Sequence, residues 1–199
     1  MKKYKYINNF FINEDKTALK AASKIIPLLI NNLKCRSVID VGCGTAAWLY
    51  IFKKNGIREI FGLDSHKNLT SLRISQAEFL THNLEEKIDL DKKYDLAISL
   101  EVAEHINPKE SKRFVHDLCN LSNIILFSAA TPGQGGQNHI NENNLEYWRY
   151  LFRENDYFPY DVIRKNFAFI KSIAPWYRYN TLLYVNDEGK LKLSKLFLR

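Results

Sequence analysis

Residues 38–48 read Val-Ile-Asp-Val-Gly-Cys-Gly-Thr-Ala-Ala-Trp. An apolar run carries one acid near its end, two glycines follow one residue apart, and small residues then open a helical pattern. Strand, glycine turn and helix in that order bring backbone very close to a ligand. Gly42, Gly44 and Ala46 match the dinucleotide fingerprint in its relaxed form, with alanine in third place. Asp64, 22 residues beyond Gly42, is placed for a ribose hydroxyl. The glycines alone leave a nicotinamide dinucleotide open.

Outward from this turn the pattern continues. Leu19, Ala22, Ile26, Leu29 and Leu33 fall near helical spacing over Glu14–Leu33, and Pro27 is expected to divide or kink that helix. Thr45–Asn55 reads as an amphipathic helix stopped by Gly56, Glu59–Leu63 as a second strand ending at Asp64, and Glu78–Leu80 as a short third strand. Tyr94–Leu100 and Asn123–Ala129 are mostly apolar, as strands covered on both faces are. Between them lie a short helical start at Glu101–Ile106 and a helix opened by Pro108 and running through Leu118. A long polar loop from Ala130 to Asn144 leads into a helical, aromatic stretch, and Trp176–Leu193 reads as one or two antiparallel strands. Strands alternating with helices imply parallel βαβ units. The expected fold is α/β: a Rossmann-like, doubly wound, mostly parallel seven-stranded sheet with an antiparallel edge strand and helices on both faces. One domain is expected over 1–199, with an N-terminal helical segment (1–36), a cofactor-binding half (37–129) and a substrate loop plus C-terminal sheet edge (130–199).

Bulk composition narrows the classes. With 199 residues, 46% hydrophobic and 26% charged, the chain suits one globular domain. No apolar run approaches the ~20 residues that span a bilayer, and the N-terminus lacks the features of a signal peptide, so a cytoplasmic location is expected. Three cysteines, Cys35, Cys43 and Cys119, have no paired spacing, which argues against a disulfide framework or a zinc site. The net charge of +7 suits a polyanionic partner, but the lysines are scattered and no nucleic-acid module is present. A nucleic acid is therefore an alternative partner, not the favoured one. Oligomeric state is not legible.

Asp40 separates the cofactor classes. It lies two residues before Gly42, where a dinucleotide would place its pyrophosphate, and a carboxylate there repels phosphate. It suits a cationic group instead. S-adenosylmethionine has an ammonium, a sulfonium and a ribose, and no phosphate. The sequence resembles the class I S-adenosylmethionine-dependent methyltransferases on "DVGCGTA" (40–46), the acid at Asp64 and "EVAEHI" (101–106), over about Ser37–Ala129. The resemblance implies that Asp40, Gly42 and Gly44 line the methionine end, that Asp64 and Ser65 meet the ribose, and that Asn83 and Leu84 flank the adenine. Leu100 closes the same group at the fourth strand's end.

Methyl transfer is an in-line displacement, so the acceptor must be positioned and, for a hydroxyl, deprotonated. His139 and His105 have imidazoles suited to that proton, and Glu101 is placed to hold substrate or the methionine end. Glu104 reads equally as a first-turn acid. Glu101, Glu104, His105 and His139 also compose a divalent-ion set by type, but no ligand spacing supports it, and no metal is expected. "PGQGGQNHINENNLEYW" (132–148) is similar to a loop of methyltransferases found among genes for bacterial surface-sugar modification. That similarity implies a sugar, glycan-precursor or small, phosphorylated acceptor, with Gln134, Gln137, Asn138 and Asn141 as polyol contacts. The rivals are an RNA or DNA methyltransferase and a non-catalytic binding protein of the same fold.

Overall fold

The computed structural model of the chain describes residues 2–65, 71–195 and 197, without the side chains of residues 2–14. Seven strands form one sheet: β1 (Ser37–Val41), β2 (Glu59–Asp64), β3 (Phe79–Thr81), β4 (Leu96–Leu100), β5 (Ile124–Ser128), β6 (Phe158–Tyr160) and β7 (Leu182–Val185). Their spatial order is β3-β2-β1-β4-β5-β7-β6. The first five run parallel, and β7 pairs antiparallel with both β5 and β6. The antiparallel strand thus stands at the expected end of the sheet, one place in from the rim. The outermost strand, β6, is three residues long and carries Pro159, which an edge tolerates and which hides the strand in the sequence.

Alternate residues of the central strands feed two separate cores. Val38, Leu96, Ile98, Ile124, Leu126, Leu183 and Val185 face α1 (Lys2–Asn32), α2 (Ala47–Lys54), α5 (Val162–Phe167) and α6 (Pro175–Tyr179). Ile39, Val41, Ala97, Ile125, Phe127, Leu182 and Tyr184 face α3 (Ser111–Leu121) and α4 (Leu145–Arg153). This two-sided burial is why the strands read as nearly continuous apolar runs. On the second face Phe152 stacks on Tyr184 at 3.8 Å between centroids, and Phe127 meets Trp148 at 5.2 Å. A last short helix, α7 (Asp187–Lys190), follows β7.

Two local expectations are corrected. α1 is not divided at Pro27 but continues as one helix, because Ile25, Ile26 and Leu29 are fully buried around it and their packing offsets the missing backbone bond. Trp176–Tyr179 is helical rather than extended: Pro175 at the first helical position presets the turn, and only Leu182–Val185 joins the sheet.

The glycine turn is held by close packing. Gly42 has φ of 85°, and a methyl built on it would lie 2.4 Å from Val102 Cγ2. Its N–H and that of Cys43 both bond to Leu63 O, at 2.8 and 3.0 Å. Under the turn, a methyl on Gly62 would lie 2.8 Å from Cys43 Sγ. Gly42→Ala should therefore cost about 2–5 kcal/mol, summing left-handed strain and overpacking, in urea denaturation. Adding Val102→Ala should return the packing part and leave the strain; a double variant no more stable than Gly42→Ala would refute the contact.

Candidate active site

β1 and β4 are neighbours whose following connections lead to opposite sides, the switch point at which open α/β sheets bind ligands. A cavity of about 400 Å³ opens there, beyond the strands' carboxyl ends. Asp40, Gly42 and Gly44 form its floor, and Leu100, Glu101, Glu104 and His105 arrive from the end of β4. Gln134, Gly136 and His139 come from the loop after β5. Trp48, Trp176 and Tyr177 make an aromatic wall, with Trp48 and Tyr177 edge to face at 5.5 Å. Asp15, Thr17 and Ala18 of α1 complete the enclosure.

The lining contains four carboxylates and neither lysine nor arginine, in a chain of net charge +7. Burial, and then Asp64 nearby, push the Asp40 carboxyl well above its ordinary range. Burial raises Glu101 as well, with the nearby polar groups of Ser128, Gln134 and Asn180 opposing the shift. Glu104 is pushed up to about 8, first by burial and then by Glu101. Glu101 Oε1 and Glu104 Oε2 are buried with no hydrogen-bond partner. A cavity that leaves buried acids unpaired is set for a cation or for donors from a ligand.

Glu101 is also strained. Its φ is 57°, rare for a side-chain-bearing residue, and its N–H bonds to Ser128 O at 3.0 Å and Ser128 Oγ at 3.1 Å. That turn points the carboxylate at Gln134, whose Nε2 donates to Oε2 at 2.7 Å; Asn180 Nδ2 in turn donates to Gln134 Oε1 at 2.8 Å.

The two histidines stand edge to face, 4.9 Å between ring centroids. His139 Nδ1 is 2.9 Å from Glu142 Oε1, and Glu142 also accepts the Gly133 and Gly135 N–H groups at 2.9 and 2.8 Å. A carboxylate only accepts, so Nδ1 carries a proton, and in the neutral ring the lone pair then falls on Nε2. Gly136 lets the loop run over that nitrogen: a methyl there would lie 2.2 Å from Nε2. His105 Nδ1 faces the Asn138 carbonyl at 3.2 Å, and burial lowers its pKa, favouring neutral imidazole. One side-chain atom from each of Glu104, His105 and His139 lies within 4.8 Å of the others.

Of the residues singled out from sequence, Asp40, Gly42, Gly44, Leu100, Glu101, Glu104, His105 and His139 meet in this cavity. Asp64 stands beside it, its Oδ2 accepting the Gly44 N–H at 2.7 Å. Ser65 follows in an exposed bend. Asn83 is exposed, its amide engaged by the Glu85 N–H and by Glu86 Oε1, both at 3.1 Å, which is the chemistry of a turn. Leu84 is buried in the α3–α4 core. These last three do not line the cavity among the described residues. Asn141 is buried too, its amide donating to Ala103 O and Ser111 Oγ, so it braces the loop rather than facing a ligand.

Sequence reading missed the α1 contribution. Asp15 takes Thr45 Oγ1 and two Arg73 nitrogens at 2.5–2.8 Å, clipping α1 to the glycine turn. Those partners lie 30 and 58 positions away, so no local pattern announces them. Glu142 was missed as well, although its spacing of three from His139 was a usable signal.

A family model described as a methyltransferase domain matches residues 14–165. The chain belongs to this family. Its fold is that of methyltransferases solved with SAM or SAH bound. A curated relative, the mitochondrial ubiquinone biosynthesis O-methyltransferase of Dictyostelium discoideum, is 35% identical over 92 residues; the match covers 37% of this chain and 29% of that protein. Among solved structures, magnesium protoporphyrin IX methyltransferase (ChlM) from Synechocystis PCC 6803, with bound SAH, aligns with a TM-score of 0.64 and 17% identity, covering 89% of this chain and 88% of that one. The sugar N-methyltransferase KedS8 from Streptoalloteichus sp ATCC 53650 aligns with a TM-score of 0.61 and 12% identity, covering 94% and 92%. Both structural matches are likenesses of fold.

The raised Glu104 pKa makes stability depend on pH. The folded carboxyl holds its proton more tightly than the unfolded one, so its contribution is complete below the ordinary value of 4.5 and is lost as pH rises toward about 8. Glu104→Gln should flatten the fall in thermal midpoint across that window. A pH profile unchanged by the substitution would show that Glu104 is not the group titrating.

Proposed function

We propose that this methyltransferase moves a methyl group from S-adenosylmethionine to a hydroxyl of a sugar or similar polyol, with His139 taking the hydroxyl proton. The observation that carries the reading is the charge of the cavity: its lining holds four carboxylates, one of them (Asp15) paired with Arg73, two imidazoles, and no lysine or arginine. It suits the ammonium and sulfonium of the donor and disfavours a dinucleotide pyrophosphate or a nucleic-acid backbone. By the same chemistry, an unphosphorylated polyol fits this cavity better than a phosphorylated acceptor.

When bound, S-adenosylmethionine supplies an electrophilic methyl on a positively charged sulfur. Asp40 would hold the ammonium. The first turn of α2, whose N-cap Ala46 makes no side-chain cap, offers free N–H groups to the methionine carboxylate. Asp64, at the end of β2, would hold the ribose of the adenosine; the His82 N–H bond to Asp64 O, 2.9 Å, keeps the following turn against β2. Glu101 and Gln134 orient the acceptor through their linked polar groups. Glu142 fixes the tautomer of His139, so that Nε2 receives the proton as the acceptor oxygen forms its new bond to carbon.

A second reading is favoured by the proximity of Glu104, His105 and His139 together with the unpartnered Glu104 oxygen: the trio suits a divalent ion that would orient the acceptor oxygen. Full turnover in metal-free buffer with chelator, unmoved by added divalent ions, would remove this reading and leave His139 as base.

Three outcomes are expected. Calorimetry should show protons released on binding S-adenosylmethionine, because a cation lowers the raised acid pKa values. Affinity should then climb with pH toward about 8, by up to about tenfold per unit for each proton released. Asp40→Ala should weaken donor binding about 10- to 100-fold, and unaltered affinity would exclude the ammonium contact. His139→Asn should lower turnover about 10²- to 10⁴-fold on the acceptor found by a labelled-methyl screen of sugars, glycans and RNA, while donor affinity stays near wild type. Methylation of RNA in preference to every sugar offered would overturn the proposed acceptor class.

A further inference from the structure

We infer that the α5–α6 corner is a docking surface for an anionic lipid bilayer, a property separate from the methyl-transfer reading. From Val162 to Asn180 the chain carries four cations, Arg164, Lys165, Lys171 and Arg178, and no carboxylate, which is four of the net seven positive charges in 19 residues. The same segment holds four large exposed apolar or aromatic side chains: Phe169 at 95%, Tyr179 at 45%, Ile170 at 38% and Trp176 at 36%. Phe169 is the most exposed large hydrophobic residue described in the chain.

The patch is rigidly built. Arg178 and Tyr179 of α6 both hold the Ala168 carbonyl, at 2.6 and 3.1 Å, so the turn bearing Phe169 and Ile170 is tied to the helix bearing Trp176 and Tyr179. Arg178 also lies over the Tyr179 ring at 5.0 Å. Arg164 is committed to Asp161 at 2.7 Å, whereas Lys165 and Lys171 are exposed and make no ion pair among the described residues. Beneath, Ile163 and Ile173 are fully buried, which fixes the corner to the sheet.

Apolar tips projecting from a turn, aromatic residues beside them and unpaired lysines around them are the chemistry of an interfacial anchor for negatively charged headgroups. No described helix is long and apolar enough to cross a membrane, so the contact is peripheral. A soluble protein partner would be expected to meet this cationic rim with carboxylates, but a second copy of this chain presents the same positive charge and is disfavoured. Trp176 belongs both to the patch and to the cavity wall. A bilayer bound here therefore lies beside the mouth of that cavity.

The test is co-sedimentation of the full chain with vesicles of phosphatidylcholine, with and without phosphatidylglycerol, at low and high salt. Binding should require phosphatidylglycerol and fall with salt. Lys165→Glu/Lys171→Glu should weaken it at least fivefold for each position changed, and Phe169→Ser/Ile170→Ser should abolish retention at high salt. All variants should keep wild-type thermal midpoints and S-adenosylhomocysteine affinity, since none of these side chains lines the cavity. Equal binding to both vesicle types, no binding to either, or patch variants that sediment like wild type would overturn the inference. So would a mass measurement in which the Phe169 variant only dissociates a dimer.

Discussion

Everything in the site depends on how closely the end of β1 approaches the end of β4. Gly42 has no side chain because Val102 occupies the space one would need, and Gly62 has none because Cys43 does. These two contacts seat the turn low enough for Asp40 to reach the cavity floor while the carboxyl ends of both strands open into the same space. The parallel register, with Asp40 level with Gly62 on one side and Ile98 on the other, makes that seating a property of the whole sheet.

The electrostatics follow from this geometry. A basic protein gathers four acids around this cavity and removes three of them from water. Those three, Asp40, Glu101 and Glu104, are buried without a lysine or arginine partner, so burial favours their protonated forms and a positive ligand would favour the ionised ones. The polar chain from Asn180 through Gln134 to Glu101, and that from the glycine loop through Glu142 to His139, then give two of the side chains fixed orientations before any ligand arrives.

The cofactor half was legible because its signals are local. A buried strand, two glycines and an acid at the next strand's end occupy one short window each, and periodicity marks the elements between them. What escaped is what the chain brings together from afar. Asp15 meets Arg73 and Thr45 only after α1 folds back across the turn. β6 is too short and too proline-marked to show a period. Trp176 and Tyr177 looked like strand residues because aromatic alternation resembles a strand wherever a proline-initiated helix is brief. Asn83 had the right type and order, yet its amide is engaged in its own turn.

Two residues with side chains, Ala46 and Glu101, adopt the left-handed conformation at the rims of β1 and β4. Each costs on the order of 1–2 kcal/mol where glycine would cost almost nothing. Glycine at 46 would relax the backbone at the expense of one buried methyl, whereas glycine at 101 would relax it by deleting the carboxylate that the turn exists to aim. Selection for robustness alone would drift toward glycine at both positions. With Glu101 holding the acceptor as proposed, that geometry trades endurance for chemistry.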